Sequence, residues 1–342
     1  MGAILEQLAV SLETAVPKTG INSDNDLKRF LYHVHTNHSH DVSKIHANEP
    51  TSILEKAVEK NMDLISITDH DNDNAWKENN IGVRSMEVET FDKRLEHLIH
   101  YGIVDIPDDY VSKEILDYRR KNNAYSLAKY ALQDGCTVIM NHPWFVPNGG
   151  RANYRGIWEI AQKLELPVEV NEKRGFIENA ATLYKAKKLG LPVVAGIDTH
   201  IGNISGTCTL AKGETTKEVL ENIKKGNSYI LWYNPMFCQP KMFAQYARQL
   251  IESSENTDLQ RKYEGFYLGS RLDSLIEWVR TRDYNESRMK KNAAKFSLQG
   301  LSYLIGAFGY LPCLYGKSAC KILKNKFSPP TKSLFREEKI YG

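Results

Sequence analysis

The amino-acid sequence predicts an α/β protein built as a (β/α) barrel. Apolar segments of strand length alternate with amphipathic helical segments over residues 27–235, which is typical of a sheet covered by helices. About six or seven such strand–helix units can be distinguished. Histidine, aspartate and glutamate recur where the strands end, and the carboxyl ends of barrel strands are where functional sites are built.

The elements can be placed in order along the chain. Predicted strands cover 30–35, 63–68, 84–90, 97–103, 136–142, 167–171, 192–200 and 227–233. Predicted helices cover 50–61, 111–134, 156–165, 179–189 and 215–225. Pro50 marks a helix start, whereas Gly135 and Gly226 mark helix ends, since proline suits the first helical turn and glycine follows the last.

Two further regions flank this barrel. Residues 1–26 are expected to form a helix at 3–15 followed by a polar linker. Past Pro235 the pattern is helical and no strand is predicted, and none of the ten histidines lies beyond His200. We therefore expect three parts: 1–26, a catalytic barrel at 27–235, and a helical, basic region at 236–342.

Composition excludes several classes of protein. The 342 residues are 42% hydrophobic and 25% charged, which is typical of a soluble globular protein and not of a disordered chain. Five cysteines without a C-x-x-C pair argue against a disulfide framework and suit a reducing compartment. No secretory signal is recognisable, so we expect a cytoplasmic protein that can also be peripheral at a membrane.

The C-terminal region is strongly basic. From Arg288 onward it has 11 Lys/Arg and 2 Asp/Glu, and residues 296–316 carry no charge between flanking lysines. A packed helical hairpin, an anionic membrane surface and a membrane span all remain open, although glycines and Pro312 disfavour a span. Nucleic acid is a further candidate partner, because its phosphates attract lysine and arginine.

The most informative stretch is F-L-Y-H-V-H-T-N-H-S-H-D at residues 30–41. His33 and His35 are two positions apart, so in an extended strand both imidazoles lie on one face, roughly 7 Å apart along the chain. Two imidazoles on one face can bind a single metal ion. His40 and Asp41 add ligand candidates where the strand gives way to a loop.

Side chains of ligand type recur at the other strand ends. The full set is His33, His35, His40 or Asp41, His70, Glu87, His97, His142, Asp198 and His200. Imidazoles and carboxylates without thiolates favour zinc, manganese or iron. One ion with an open position needs only three or four protein ligands, so this set predicts two or three divalent ions.

Six short motifs occur along the chain in this order: H-V-H-T-x-x-S at 33–39, I-T-D-H at 67–70, M-E-V-E at 86–89, H-L-I-x-Y-G at 97–102, N-H-P at 141–143 and G-I-D-T-H at 196–200. Together they resemble the PHP (polymerase and histidinol phosphatase) family of metallo-phosphoesterases over about residues 30–232. The resemblance implies a distorted (β/α)7 barrel of PHP type, followed here by a C-terminal helical extension.

The resemblance also implies a ligand set for up to three ions. The first would take His33, His35, Glu87 and Asp198. The second would share Glu87 and take His97 and His142. The third would take His70, His200 and either His40 or Asp41, of which Asp41 is preferred. His97 is preferred to His100, which falls where the family motif usually has glycine, and residues three apart on a strand point to opposite faces.

Further residues are candidates for catalysis or substrate binding. The catalytic candidates are Asp69, His70, Glu87 and Asp198. Asp69 either caps a turn or orients His70 and moves a proton. Lys173 and Arg174 either meet a substrate phosphate or form a solvated loop pair. Glu89 is interpreted as a solvated charge, and Glu169 and Asn171 as either structural or functional.

These features predict a metal-dependent hydrolase of phosphate esters, acting on a phosphorylated small molecule or on a nucleotide or oligonucleotide. One alternative is a 3′- or 5′-exonuclease whose basic C-terminal region holds nucleic acid. Hydrolysis of C–N bonds is a second enzymatic alternative, and a metal-stabilised interaction module without turnover is a third. The sequence leaves the substrate, the native metal and the oligomeric state open.

Overall fold

A computed structural model describes residues 26–42, 46–95, 97–121, 123–144, 154–174, 176–200 and 202–232. The predictions for residues 1–25 and 236–342, including the basic C-terminal region and the uncharged segment at 296–316, lie outside these residues. Within the described part of the chain, the longest apolar helices are too short or too polar to cross a membrane.

The described residues form a mixed α/β structure in which a central sheet is covered by helices. The strands are β1 (Leu27–Val34), β2 (Leu64–Ile67), β3 (Ser85–Asp92), β4 (His97–Val104), β5 (Thr137–Met140), β6 (Val168–Asn171), β7 (Val193–Thr199), β8 (Cys208–Lys212) and β9 (Ser228–Leu231). The helices are α1 (Pro50–Glu59), α2 (Asn74–Asn79), α3 (Asp109–Arg119), α4 (Ala124–Gln133), α5 (Tyr154–Lys163), α6 (Phe176–Leu189) and α7 (Thr216–Lys224).

Strand β1 pairs with three other strands, β2, β7 and β8. The strand order is β3-β4-β5-β6-β7-β1-β8-β9, and β2, which is not on this path, also pairs with β1. The pairs of β1 with β2 and β7 are parallel, as are β5–β6 and β6–β7. Strand β4 is antiparallel to both β3 and β5. The parallel strands therefore end on one side of the molecule.

Strands β2 and β3 are also in contact through their backbones. Val83 N donates to Ile65 O at 2.7 Å, and Glu87 N donates to Asp69 O at 3.1 Å. A further parallel bridge joins His70 to Glu87. These bonds place the end of β2 beside the middle of β3.

The structure differs from the sequence-based expectation at two helices and one strand. Helix α2 was not predicted. The helix predicted at 111–134 is two helices, α3 and α4, because Asn123 accepts a hydrogen bond from Ser126 N at 3.0 Å and Asp92 accepts one from Ala124 N at 2.9 Å. Such caps satisfy the first donors of a new helix. Strand β8 was not predicted, because it is buried on both faces and its sequence therefore lacks the alternation of apolar and polar residues that marks a half-buried strand.

The core consists of several clusters of buried side chains between the sheet and the helices. Its larger cluster joins β3–β6 to helices α3–α5 through residues such as Tyr101, Leu127 and Trp158. A smaller one packs Phe30 and Val194 against α7. Burial of these side chains fixes the register of the strands, and the register sets which polar side chains meet where the strands end.

Candidate metal centre

Ten side chains gather where the parallel strands end. They form overlapping groups whose ligand atoms lie within 4.8 Å of one another: His33, His35, Asp41, His70, Glu87, Glu89, His100, His142, Asp198 and His200. All except Glu89 are buried. We call these ten residues the ligand cluster. It contains eight of the ten residues predicted as metal ligands, whose role as ligands stays a prediction.

The backbone is distorted where it presents three of these side chains. His33, His142 and Asp198 have positive φ angles of 63°, 23° and 53°, a region that residues other than glycine rarely adopt. The pairing of β1 with β7 also shifts register between Tyr32 and Val34. Irregularities of this kind are common beside active sites, where they redirect side chains.

Glu87 lies at the centre of the ligand cluster. Its Oε1 is 3.3 Å from His33 Nε2, His100 Nδ1 and His142 Nε2. Its Oε2 is 3.4 Å from His35 Nε2 and 3.3 Å from His70 Nδ1. Burial opposes its ionisation, but His33 and His70 hold the pKa of Glu87 well below its usual value. One ionised carboxylate thus faces five imidazoles.

Asp198, on β7, faces the imidazoles of His33 and His35. Its Oδ1 is 3.7 Å from His33 Nε2 and 3.6 Å from His35 Nε2, and 3.4 Å from His200 Nδ1. Although burial raises the pKa of this carboxyl, Lys173 and His33 hold it well below its usual value. Asp198 is therefore a second ionised carboxylate in the cluster.

The loop after β1 contributes Asp41, while His40 is exposed. Asp41 Oδ2 lies 2.6 Å from His200 Nε2 and 3.3 Å from His70 Nε2, and its Oδ1 accepts a hydrogen bond from Ser39 Oγ at 2.7 Å. The ring of His40 is 5.1 Å from that of His70, centroid to centroid. Geometry therefore favours Asp41 over His40.

The structure places His97 and His100 differently with respect to the ligand cluster. In the β3–β4 pair, His100 lies opposite Glu89 and His97 opposite Asp92. His97 is buried beside Tyr154, with ring centroids 6.1 Å apart, outside the ligand cluster. Because residues three apart on a strand point to opposite faces, only one of the two can reach Glu87, and the register brings His100 there.

The ligand cluster contains buried ring nitrogens that could bind cations. Among the described residues, His33 Nε2, both ring nitrogens of His35 and His70 Nδ1 are buried without a hydrogen-bond partner, although buried polar atoms are normally paired. Burial and His200 lower the pKa of His35 well below its usual value. A neutral imidazole is the form that binds metal, so the cluster can hold divalent ions.

A second layer of hydrogen bonds orients the cluster. Glu169 Oε1 lies 2.5 Å from His33 Nδ1, and its Oε2 accepts from His142 N at 2.8 Å and from Asn171 Nδ2 at 3.1 Å. A Cβ atom at Gly196 would lie 1.9 Å from Glu169 Oε1, so this glycine makes room for the contact. Carboxylates that fix the orientation of histidines are a common second layer around metals.

A similar pair supports Glu87 and was missed from the sequence. Asn141 Nδ2 donates to Glu87 Oε1 at 2.8 Å, and the Tyr32 hydroxyl donates to Asn141 Oδ1. A Cβ at Gly102 would collide with that hydroxyl. The N-H-P motif contains Asn141, but no local signal connects it with Tyr32, which is 109 residues away.

Asp69 lies beside the cluster and holds the turn after β1. Its carboxylate accepts hydrogen bonds from Thr36 N at 2.6 Å and Thr36 Oγ1 at 2.7 Å. Burial raises the pKa of Asp69 to about 6, although these hydrogen bonds oppose the rise. In this position the carboxylate supports the loop that carries Asp41.

Two cationic side chains line the Asp198 side of the cluster. Lys173 Nζ lies 2.9 Å from His200 Nδ1 and 3.3 Å from Asp198 Oδ1, and the Arg174 guanidinium is 3.5 Å from Asp198 Oδ2. Both side chains are partly exposed. The pair thus faces the cluster, and a role in substrate binding stays a prediction.

Comparisons with known proteins add little to this picture. No protein-family model matches the chain, and no curated protein matches it. Among solved structures, PsfC from Pseudomonas syringae aligns with a TM-score of 0.43 and 15% identity, covering 61% of this chain and 92% of PsfC.

Two other solved structures are similar at the same level. A candidate metal-dependent phosphoesterase from Bifidobacterium adolescentis aligns with a TM-score of 0.38 and 14% identity, covering 57% of this chain and 94% of that protein. An amidohydrolase from Chromobacterium violaceum has the same two values, with 50% and 87% covered. At TM-scores this low, the likeness supports no assignment of function, which has to come from the geometry of the ligand cluster.

Proposed function

We propose that this chain is a metal-dependent hydrolase that cleaves phosphate esters, either phosphomonoesters or nucleotides and oligonucleotides. The observation that carries the proposal is the spacing in the ligand cluster. Imidazole nitrogens of His33, His35 and His70 lie 3.3–3.4 Å from the oxygens of Glu87, and these nitrogens have no hydrogen-bond partner among the described residues. Two donor atoms about 2.1 Å from one tetrahedral ion lie roughly 3.4 Å apart.

The proposed framework is a distorted seven-stranded barrel. The sheet runs from β3 through β7 to β1, and β1 pairs with β2. Two backbone hydrogen bonds, from Val83 N to Ile65 O and from Glu87 N to Asp69 O, then connect the β2 segment with the β3 segment. This path supports closure of the strands into a ring. Closure would explain why residues from β1, β3, β4 and β7 share one pocket.

We propose two or three divalent ions, with zinc, manganese or iron as candidates. One set of ligands is His33, His35, Glu87 and Asp198; a second is Glu87, His100 and His142; a third draws on Asp41, His70 and His200. When bound in such sites, divalent ions act as Lewis acids that activate water and offset phosphoryl charge. The three carboxylates lower the net charge of the loaded site.

The remaining chemistry is assigned to the chain's own residues. Lys173 and Arg174 lie on one side of the cluster, where their charges would hold a substrate phosphate against Asp198 and His200. Asp69 acts as a positioning residue by fixing Thr36 and the loop that leads to Asp41. Glu169 and Asn171 keep His33 and Asp198 in place.

The location and further partners are also proposals. A cytoplasmic protein suits the cysteine usage, and the basic region at 236–342 would bring the barrel to nucleic acid or to an anionic membrane surface. An exonuclease differs from a small-molecule phosphatase in needing this region. Removing residues 288–342 should weaken hydrolysis of oligonucleotides but leave that of a small aryl phosphate unchanged.

The test of the proposed function begins with metal analysis of the purified full-length chain. Chelator-stripped and metal-loaded protein are then assayed on an aryl phosphomonoester, an aryl phosphodiester, end-labelled oligonucleotides and aryl amides. We expect metal-dependent release of phosphate or nucleotide from at least one phosphoester. Metal-dependent cleavage of amides alone would contradict the phosphoester assignment, and full activity after exhaustive chelation would contradict the metal assignment.

A further inference from the structure

Glu89 belongs to the ligand cluster although its sequence context favours a solvated charge. It follows Glu87 by two positions on β3, so both side chains lie on one face of the strand. In the antiparallel pair with β4 it lies directly opposite His100, and side chains in such pairs have Cβ atoms about 5 Å apart. Its side chain is only 15% exposed. Glu89 therefore faces the pocket beside His100.

His70 lies in the same part of the pocket as Glu89 and His100. Its Nδ1 lies 3.0 Å from Glu89 Oε1 and 3.3 Å from Glu87 Oε2, yet it forms no hydrogen bond with any described residue. Its other ring nitrogen, Nε2, lies 3.3 Å from Asp41 Oδ2. A neutral imidazole has one N–H and one lone pair. If the N–H faces Asp41, the lone pair on Nδ1 faces two carboxylate oxygens.

With a neutral ring, that arrangement favours a positive charge beside Nδ1. A lone pair between two carboxylate oxygens is repelled by both, and in a buried pocket the repulsion is weakly screened. Nδ1 has no hydrogen-bond partner among the described residues, so a proton on this nitrogen would not be hydrogen-bonded either. A cation between Nδ1 and the carboxylates satisfies all of these atoms at once.

The backbone around Glu89 is held in place. Glu89 N donates to Asp71 Oδ1 at 3.3 Å, and Arg119 Nε donates to Glu89 O at 2.7 Å. Arg119 also lies 2.8 Å from Asp71 Oδ2. These contacts join β3 to α3 and to the loop after β2, so Glu89 is a fixed group that can serve as a ligand.

We propose that His70 Nδ1, Glu89 and His100 form an outer cation position that takes a divalent ion of the zinc, manganese or iron class. Two imidazoles and one carboxylate with open positions suit such ions. This position takes His100 from the second ligand set named above and His70 from the third, which leaves Glu87 and His142 in the second set and Asp41 and His200, with His35, in the third. The Nε2–H of His70 then donates to Asp41. The inference rests on the proposed function only in requiring that the cluster binds metal.

The test compares two glutamate variants of the full-length chain. Chelator-stripped wild type, Glu89→Gln and Glu78→Gln are titrated with Zn²⁺ against a chromophoric chelator to give the number of ions and their affinities. Glu78 is the matched control, because it lies near the site at 3.4 Å from His38 but is 61% exposed. We expect Glu89→Gln to bind one ion fewer, or its weakest ion about tenfold or more weakly, and Glu78→Gln to match wild type.

Four results would overturn the inference. An unchanged number and affinity of ions in Glu89→Gln would remove Glu89 from the ligands while leaving the proposed function intact. Equal losses in Glu78→Gln would show a general charge effect. Wild type that binds no Zn²⁺ would end both proposals. If Glu89→Gln does not fold, Glu89→Asp keeps the charge and shortens the reach; unchanged affinity in that variant would likewise contradict the outer position.

Discussion

Two groups of charged side chains in this protein are built in opposite ways. The first, which we call the Arg84 network, joins Arg84 and Lys77 to Asp73 and Asp109. Arg84 Nε donates to Asp73 Oδ2 at 2.6 Å and Lys77 Nζ lies 2.9 Å from Asp73 Oδ1, while the guanidinium lies 4.7 Å from the centre of the Trp76 ring. Each buried donor there meets an acceptor at hydrogen-bond distance.

The ligand cluster lacks that complementarity. The contacts of its imidazoles with Glu87 and Asp198 are 3.3–3.7 Å long, and several buried ring nitrogens have no hydrogen-bond partner in the described chain. The difference shows that burial of charge alone does not define a site. The Arg84 network is complete as folded, whereas the ligand cluster is arranged for positive charge that must come from outside the chain.

The largest expected effect is on the most connected residue of the cluster. Glu87→Gln keeps the size of the side chain but removes the charge that faces five imidazoles. We expect the loss of at least one bound ion and a fall in phosphoester hydrolysis of roughly 10³-fold or more. Metal analysis and kcat measurement on the same preparation check this. Asp109→Asn in the Arg84 network should keep metal and activity. Retained turnover in Glu87→Gln would contradict the proposed role of Glu87 in holding metal.

The next effect is on the pH dependence of the metal-free protein. Burial lowers the pKa of His70, but Asp41 and Glu87 outweigh it and raise the pKa to about 9. A raised histidine pKa stabilises the fold below about pH 6.5, and this is lost as the pH rises through about 9, by up to about 3 kcal/mol. Thermal unfolding of chelated protein from pH 6 to 10 measures it, and a Tm that stays flat there would contradict the expectation.

Breaking the Arg84 network should lower stability without affecting metal. Arg84→Met keeps much of the side-chain volume but leaves Asp73 with one cationic partner fewer, which should cost about 2 kcal/mol of unfolding free energy. Denaturant unfolding measures the loss with and without Zn²⁺, and the difference from wild type should be the same in both. A change in the number of bound ions in Arg84→Met would show that the two groups are coupled.

A smaller effect is expected from the second layer. Glu169→Gln keeps a hydrogen bond to the backbone of His142 but weakens the one to His33 Nδ1, so metal affinity should fall about 10- to 100-fold. Competition titration with Zn²⁺ measures this. Glu159→Gln removes a carboxylate that pairs with Arg155 on α5 and serves as the control. Equal affinity in both variants would make the Glu169–His33 contact merely structural.

The smallest effect is expected at the cationic edge of the cluster. Lys173→Met removes the ammonium beside Asp198 and His200, and we expect KM for a phosphomonoester to rise about tenfold with a smaller change in kcat. Lys224→Met on α7 removes a comparable charge that pairs with Glu221 and should leave KM unchanged. A rise in KM that is equal in both variants would indicate a general electrostatic effect.

The sequence was informative where a residue's position along one strand decides its place. His33 and His35 lie at the end of β1, and His70, His142 and His200 lie within three residues of strand ends, so their meeting at one end of a sheet followed from strand order alone. The mixed α/β fold was predictable for the same reason, because alternating apolar segments indicate layers.

What the sequence did not reveal depends on contacts across the fold. The choice between His97 and His100 and the placement of Glu89 are decided by the register of β3 and β4, which no local pattern specifies. His33 and Glu169 are 136 residues apart, so their contact follows only from the folded sheet. The split of the predicted helix at Asn123 reflects capping by Asp92, a residue on another strand.

The positive φ angles of His33, His142 and Asp198 have a consequence for how this protein can change. A non-glycine residue in that conformation costs of order 1–3 kcal/mol, so a chain selected only for heat resistance would replace all three. Asparagine or glycine there would relieve the backbone but give up imidazole or carboxylate donors. Durability and the capacity to hold cations thus compete at the same three positions, and attempts to engineer a hardier variant should leave them untouched.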